Sequence, residues 1–205
     1  MSDAVQSQSL TDDIAFIRAL AEDGRQTPFR GGVSLAAGLI WGSASLYGWA
    51  VATGLWQNPP GGAASAGWAW LVAAVVFAAV GVPLRMYRRS PGAHRAAAAA
   101  WGGVGIACWT VSAAVVIAAV RTHTGAILSL LPPMIMALYA GGWVVGAMVF
   151  RARWQLWVGG LCLLSSLVLA WFAAQPVQYL LFALSLYALA GLPGLVTVLR
   201  RQTPA

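Results

Sequence analysis

Long apolar runs separated by short polar connectors make up this chain from about residue 31 onwards. A helix needs about 20 apolar residues to cross roughly 30 Å of hydrocarbon, and each run approaches or exceeds that length without an Asp, Glu, Lys, Arg or His. The runs are apolar around the whole helix, unlike the amphipathic helices of soluble proteins. The pattern therefore predicts six transmembrane helices, at approximately Gly32–Leu55, Gly67–Leu84, Ala96–Val120, Ala126–Phe150, Trp154–Phe172 and Val177–Leu199.

The composition excludes the other common classes of protein. Hydrophobic residues make up 60% of the 205 residues and charged residues 8%, whereas soluble domains have roughly 45–50% and about 25%. Disorder requires low hydrophobicity and high charge, and two cysteines do not make a disulfide scaffold. We therefore expect an all-α integral membrane protein with a six-helix bundle at 31–201 and a short tail at 202–205.

Clusters of arginine occupy the connectors before the third and fifth predicted helices and the segment after the sixth, whereas the opposite connectors hold only Arg121. The positive-inside rule then places the clusters and both termini in the cytoplasm. The chain has no lysine and is rich in Ala, Gly and Arg, a composition typical of a GC-rich bacterial genome and hence of a bacterial inner membrane. The clusters are Arg85, Arg88, Arg89, Arg95, Arg151, Arg153, Arg200 and Arg201.

Residues 1–30 are predicted to form a cytoplasmic amphipathic helix and a linker. All five acidic residues lie within the first 23 positions, which is unlike the basic start of a secretory signal. Helices that lie on membranes usually carry a basic polar face, so an acidic one favours docking on protein: the bundle's own arginines or a partner. The alternative is an idle interfacial helix. The docking candidates are Ile14, Ile17, Leu20, Glu22 and Asp23.

The residues that usually carry chemistry are missing from the apolar runs. Ion and proton transporters place ionisable groups inside their bundles, and no run has one. His94 and His123 fall in connectors on opposite sides of the membrane, so they cannot share a metal or a haem. Cys108 and Cys162 lie within runs, where a thiol behaves as a small hydrophobe. We therefore expect no enzymatic activity, no catalytic or metal site, no cofactor and no nucleic acid partner.

Small residues spaced four apart predict close helix packing. They form Gly38-x-x-x-Gly42 with Gly48 further along the first run, and Gly142-x-x-x-Gly146 in the fourth. Such spacing lets helix backbones approach each other in lipid. We call these five glycines the glycine seam. It serves either packing within the bundle or an oligomer interface.

Two prolines and several deep aromatic residues form a candidate ligand cavity. Pro132 and Pro133 remove two backbone donors and free the carbonyls near Leu128 and Ser129; transporters build sites at such breaks. Aromatic rings inside the runs suit a neutral or lipophilic ligand. The alternative is a plain kink with aromatic core packing. The cavity candidates are Trp49, Trp109, Pro132, Pro133 and Tyr139.

Two functional hypotheses follow. The first is a non-catalytic membrane component, namely an accessory subunit, an assembly factor or an oligomeric scaffold, whose partners are membrane lipids and either further copies or another membrane protein. The second is a channel, carrier or binder for a small neutral or lipophilic solute. A recurring tryptophan and glycine pair, at Trp41-Gly42, Trp101-Gly102 and Trp157-Val158-Gly159, also suggests three consecutive helical hairpins.

Overall fold

The computed structural model describes residues 31–60, 62, 65–86 and 93–202, which are helical with short connectors and contain no strand. The all-α prediction is thereby confirmed. The predicted N-terminal helix, with Ile14, Ile17, Leu20, Glu22 and Asp23, lies outside the described residues. In chain order the elements are α1 Gly31–Ala52, α2 Ser65–Met86, α3 Ala93–Thr122, a 3-10 helix Gly125–Leu130, α4 Leu131–Phe150, α5 Arg153–Trp171, α6 Val177–Leu186, a π-helical turn Tyr187–Gly191 and α7 Leu192–Gln202.

Five of the helical stretches are long and apolar enough to cross a membrane, and α2 contributes a shorter apolar stretch. The ends of these five stretches agree with the sequence prediction to within three residues, because the hydrophobic length required by the bilayer sets both. We call the last stretch, which includes α6, the π turn and most of α7, the sixth span. The five are Gly31–Ala52, Ala99–Thr122, Gly125–Phe150, Arg153–Trp171 and Val177–Leu199, and the shorter one is Ser65–Val80.

The closest helix contact joins α1 to the sixth span, where the two backbones touch. A Cβ built on Gly38 would lie 2.6 Å from Gly191 Cα, far inside van der Waals contact. One built on Gly31 would meet the Gly194 carbonyl. Because Gly31 faces Gly194 and Gly38 faces Gly191, the helices run antiparallel. Only glycines allow this approach at these positions.

Pro193 explains the irregular turn in the sixth span. Proline has no N–H and cannot continue the i→i−4 ladder, and the Leu192 N–H donates instead to the Tyr187 carbonyl five residues back. The resulting π turn places the Ala190 carbonyl where the Ser34 Oγ donates to it at 2.8 Å. The Ser34 side chain of α1 is therefore hydrogen-bonded to a backbone carbonyl in the irregular turn of the sixth span.

The described helices pack in two groups of three. The first group has α1 between α2 and the sixth span, and the second has α4 between α3 and α5. Consecutive helices also contact each other within the three suggested hairpins, with the least contact between α5 and the sixth span. The groups meet at a core formed by Met136, Ala140, Trp143, Cys162, Leu169, Phe182, Leu186 and Leu189.

Replacing Gly38 with alanine tests the α1 contact with the sixth span. The added Cβ would overlap the backbone of Gly191, and overpacking typically costs about 1–3 kcal/mol. We expect Gly38→Ala to lower the thermal unfolding midpoint of the purified protein in detergent.

Gly32→Ala is the matched control on the same helix, because its Cβ would meet nothing within 4 Å. This variant should keep the free energy of unfolding within about 0.5 kcal/mol of the wild-type value. Equal midpoints for the two variants would contradict the backbone-to-backbone contact.

Candidate functional site

The glycine seam residues all contact neighbouring helices of the same chain. On α1, a Cβ on Gly42 would lie 2.7 Å from the Tyr187 ring and one on Gly48 would lie 3.4 Å from Tyr179. On α4, Gly142 faces Trp101 of α3 and Gly146 faces Gln155 of α5, at 3.1 Å and 2.8 Å from a built Cβ. With Gly38, these residues form three helix contacts, which join α1 to the sixth span, α4 to α3 and α4 to α5 within the described bundle.

Pro132 and Pro133 lie at the start of a helix and not in the middle of one. The 3-10 helix Gly125–Leu130 precedes them, and they occupy the first turn of α4, where a missing N–H costs little. Both prolines are buried. The Ser166 Oγ donates to the Pro133 carbonyl at 2.8 Å, which ties this turn to α5.

Gln178 donates a hydrogen bond to the Ser129 carbonyl. In a regular helix this carbonyl would accept from the N–H four residues later, but that residue is Pro133, which has none. The Gln178 Nε2 donates to the Ser129 carbonyl at 2.7 Å and to the Leu169 carbonyl near the end of α5 at 3.0 Å. The side chain is 3% exposed. One amide thus joins the 3-10 helix, α5 and α6 at the arginine-poor end of the bundle. Gln178 is not among the site residues predicted from the sequence, where its one signal is an amide at the start of an apolar run.

Replacing Gln178 with leucine should destabilise the bundle. Leucine fills a similar volume but leaves the Ser129 and Leu169 carbonyls without this donor, and an unsatisfied buried polar group costs about 1–3 kcal/mol. We expect a lower unfolding midpoint in detergent.

Gln175→Leu is the control, because Gln175 is exposed in the preceding connector. Its midpoint should stay close to the wild-type value. A Gln178→Leu variant as stable as Gln175→Leu would show that these carbonyls do not depend on Gln178.

The cavity candidates do not form one aromatic cluster. Trp109 of α3 packs against Trp41 of α1, with ring centroids 6.3 Å apart. Tyr139 of α4 packs against Trp101, with centroids 5.3 Å apart, in a cluster that continues to Trp143 and Trp154. Trp49 is half-buried on α1. Trp109 and Tyr139 therefore belong to different groups of contacting rings. Pro132 and Pro133 lie in the first turn of α4, where Ser166 donates to the Pro133 carbonyl.

Two buried polar atoms in the described bundle have no hydrogen-bond partner. They are the Ser45 hydroxyl oxygen on α1 and the Gln155 Oε1 on α5. Gln155 is 3% exposed and fits against α4 only because Gly146 has no side chain. Each group opposes folding through its desolvation.

Several other hydroxyls of the helices are paired with each other or with carbonyls. Tyr47 donates to Ser65 at 2.9 Å, and the hydroxyls of Ser43 and Tyr187 lie 3.1 Å apart. The described residues contain no cluster of three or more His, Cys, Asp or Glu side chains that could hold a metal ion.

The aromatic ring of Trp41 lies between α2 and α3. Although consecutive in the chain, these helices do not pack along each other in the part that the structure describes. The ring centroid of Trp41 lies 6.0 Å from that of Phe77 on α2 and 6.3 Å from that of Trp109 on α3. The Trp109 side chain is 51% exposed.

The connector between α1 and α2 holds a shallow surface depression. Its volume is about 490 Å³, and its lining residues are Val51, Gly54, Trp56, Gln57, Asn58, Pro59 and Gly62. The depression is open to the surroundings and carries no charged group, so it gives no specific chemistry.

No protein-family model, no curated protein sequence and no solved structure matches this chain.

Proposed function

We propose that this chain is a non-catalytic component of a bacterial inner membrane, acting as an accessory subunit, an assembly factor or an oligomeric scaffold. In this proposal it crosses the membrane six times, with α2 as the second crossing and with both termini in the cytoplasm. The distribution of arginine supports the orientation, because the clusters lie in alternate connectors.

The main support for the proposal is that several polar side chains of the helices form hydrogen bonds to the backbone of the bundle. Apart from thiols and tyrosines, the only ionisable side chains of the apolar stretches are Arg121 and Arg153, at the ends of their stretches. Gln178, Ser166 and Ser34 donate to backbone carbonyls of neighbouring helices. These polar groups stabilise helix contacts, and none forms a relay or a charged binding site. Proton and ion transport normally require such groups inside the membrane.

A second candidate function is a carrier or binder for a neutral or lipophilic solute. The accessible ring of Trp109 beside Trp41 favours it. The turn at Pro132 and Pro133 does not favour it, because the Ser129 and Pro133 carbonyls already accept hydrogen bonds from Gln178 and Ser166 and not from a ligand. We therefore place it second.

We assign partner docking to the N-terminal segment on the grounds of its sequence. Ile14, Ile17 and Leu20 share one helical face, while Glu22 and Asp23 bring negative charge to a chain whose remainder is basic. An apolar face of this kind binds protein through buried area, and the acids add electrostatic complementarity.

Substitutions on the two faces of this segment test the proposal. The full chain is extracted in mild detergent, and its mass is measured by light scattering and its composition by mass spectrometry. We expect the wild type to carry a partner in a fixed ratio, either a second protein or further copies. Ile17→Asp with Leu20→Asp should remove that partner.

The charge-matched control is Ala15→Asp with Ala19→Asp, which falls on the opposite helical face and should retain the partner. A wild type that is monomeric and alone would contradict the proposal. Saturable uptake of a neutral solute into proteoliposomes by that monomer would favour the second candidate.

A further inference from the structure

We propose that two copies of this chain pair through the exposed face of α3, with the two α3 helices parallel and related by a two-fold axis along the membrane normal. The contact is separate from the docking by the N-terminal segment, so the inference goes beyond the proposed function. It rests on the proposed crossing of α3, because copies that cross in one orientation can present the same face to each other.

α3 is the least buried of the five stretches that are long enough to cross a membrane. Only 6% of the residues in its most apolar part are buried, compared with 22–39% in the other four stretches. One face packs along α4, and Val115 and Ala119 are buried there. Ile106 lies nine residues from Val115, which is about two and a half helical turns, so it lies on the opposite face. Within the described residues, no other helix packs along that face.

Six exposed residues form a stripe along this face at the spacing of a coiled coil. They recur at alternating intervals of three and four residues, which keeps one side of a helix against a parallel partner. The first and last are 17 residues apart, or about 26 Å, so the stripe covers most of the roughly 30 Å of hydrocarbon. We call it the α3 stripe, and it consists of Gly103, Ile106, Thr110, Ala113, Ile117 and Val120.

The side chains of the α3 stripe differ from those on the exposed face of α5. None is larger than isoleucine, and a Cβ built on Gly103 would meet nothing within 4 Å, so a second backbone has room to approach. The exposed face of α5 carries large side chains, such as Trp157 at 77% and Leu167 at 70% exposure. Small residues at regular spacing favour helix association in lipid, so α3 is the better surface for a partner.

Thr110, in the middle of the α3 stripe, has a hydroxyl that makes no hydrogen bond. It is exposed and is the twelfth of the 24 residues of the stretch Ala99–Thr122, so it lies near the centre of the hydrocarbon, which offers no acceptor. The other threonines of the described residues each donate to a backbone carbonyl; they are Thr53, Thr122, Thr124 and Thr197.

A second copy supplies the partner that Thr110 lacks. In a parallel pair each residue of the α3 stripe lies at the level of its own copy, so the two Thr110 hydroxyls meet and one donates to the other. The stripe carries no charge that would repel a copy. Its length is close to that of the 19-residue α5, which is held in the bundle mainly by packing along α4. The α3 stripe therefore offers two copies a contact as long as one that the bundle itself uses.

Disulfide crosslinking in reconstituted vesicles tests this contact. Gly103→Cys places a thiol on the α3 stripe, and Gly160→Cys places one on the exposed face of α5. A Cβ at either position would meet nothing within 4 Å, so both variants should fold. Under mild oxidation at a low protein-to-lipid ratio, we expect Gly103→Cys to form a disulfide-linked dimer. Gly160→Cys should form no more dimer than the wild type, whose Cys108 and Cys162 give the background.

Variants of Thr110 test the hydroxyl pair. Energy transfer between donor-labelled and acceptor-labelled copies is measured as the vesicles are diluted with lipid. Thr110→Val removes the hydroxyl at nearly constant volume and should weaken pairing by roughly five-fold, whereas Thr110→Ser keeps the hydroxyl and should stay within about two-fold of the wild type. Thr122→Val is the matched control on α3, because the Thr122 hydroxyl donates to Ala118 of its own helix, and it should pair as the wild type does.

Four results would overturn the inference. Energy transfer at the level of random collision would show a monomer, and equal crosslinking of Gly103→Cys and Gly160→Cys would show no preferred face. Wild-type pairing by Thr110→Val would remove the role of the hydroxyl. A Gly103→Cys crosslink to a different protein in the native membrane would replace the second copy.

The docking proposal fails on a different readout. Ile17→Asp with Leu20→Asp changes only the N-terminal segment, so it should release the docked partner and leave the Gly103→Cys crosslink unchanged. A partner that stays bound to this double variant would count against docking and not against pairing. Loss of the crosslink in the double variant would assign the pairing to the N-terminal segment and contradict the α3 contact.

Discussion

Hydrocarbon cannot hydrogen-bond a peptide group, and this constraint governs the arrangement of the described helices. Each backbone N–H and C=O must find its partner within the protein. A regular helix meets this requirement alone, but a proline interrupts it. Near two of the prolines, side chains from other helices donate to backbone carbonyls: Gln178 donates to the Ser129 carbonyl, four residues before Pro133, and Ser34 donates to the Ala190 carbonyl of the π turn that precedes Pro193. The same polar contacts that satisfy the backbone also join the helices.

Glycine determines where the helices meet. With little hydrophobic drive between helices in lipid, association depends on close packing, and Gly38 and Gly191 allow α1 and the sixth span to touch through their backbones. In the second group of helices, Gly142 and Gly146 allow α4 to lie close to α3 and α5. These contacts produce two groups of three helices. The division leaves α2 and α3 with few contacts between them in the part that the structure describes.

The sequence was sufficient to predict the helices but not their neighbours. Hydrophobic length is a local property, so the bounds of five membrane-length stretches followed from it. The spacing of Gly38 and Gly42 predicted a close approach, but not that Gly191 and Tyr187 would be opposite them, because those contacts join residues about 150 positions apart. The same limit applies to Gln178, whose acceptor Ser129 lies 49 residues away. Pro132 and Pro133 were expected to break a helix, and the preceding 3-10 helix makes them a helix start.

Accessibility of single cysteines in sealed vesicles tests most directly the central claim, that the chain crosses the membrane six times with its arginine clusters on one side. Asn58→Cys and Thr124→Cys lie in arginine-poor connectors, and Ser90→Cys lies in the arginine-rich connector between α2 and α3. The wild type is the blank, because Cys108 and Cys162 lie within helices. In right-side-out vesicles an impermeant thiol reagent should label the first two variants, and the third only after the membrane is opened. Labelling of Asn58→Cys and Ser90→Cys from the same side would contradict the crossing by α2 and with it the six-crossing arrangement.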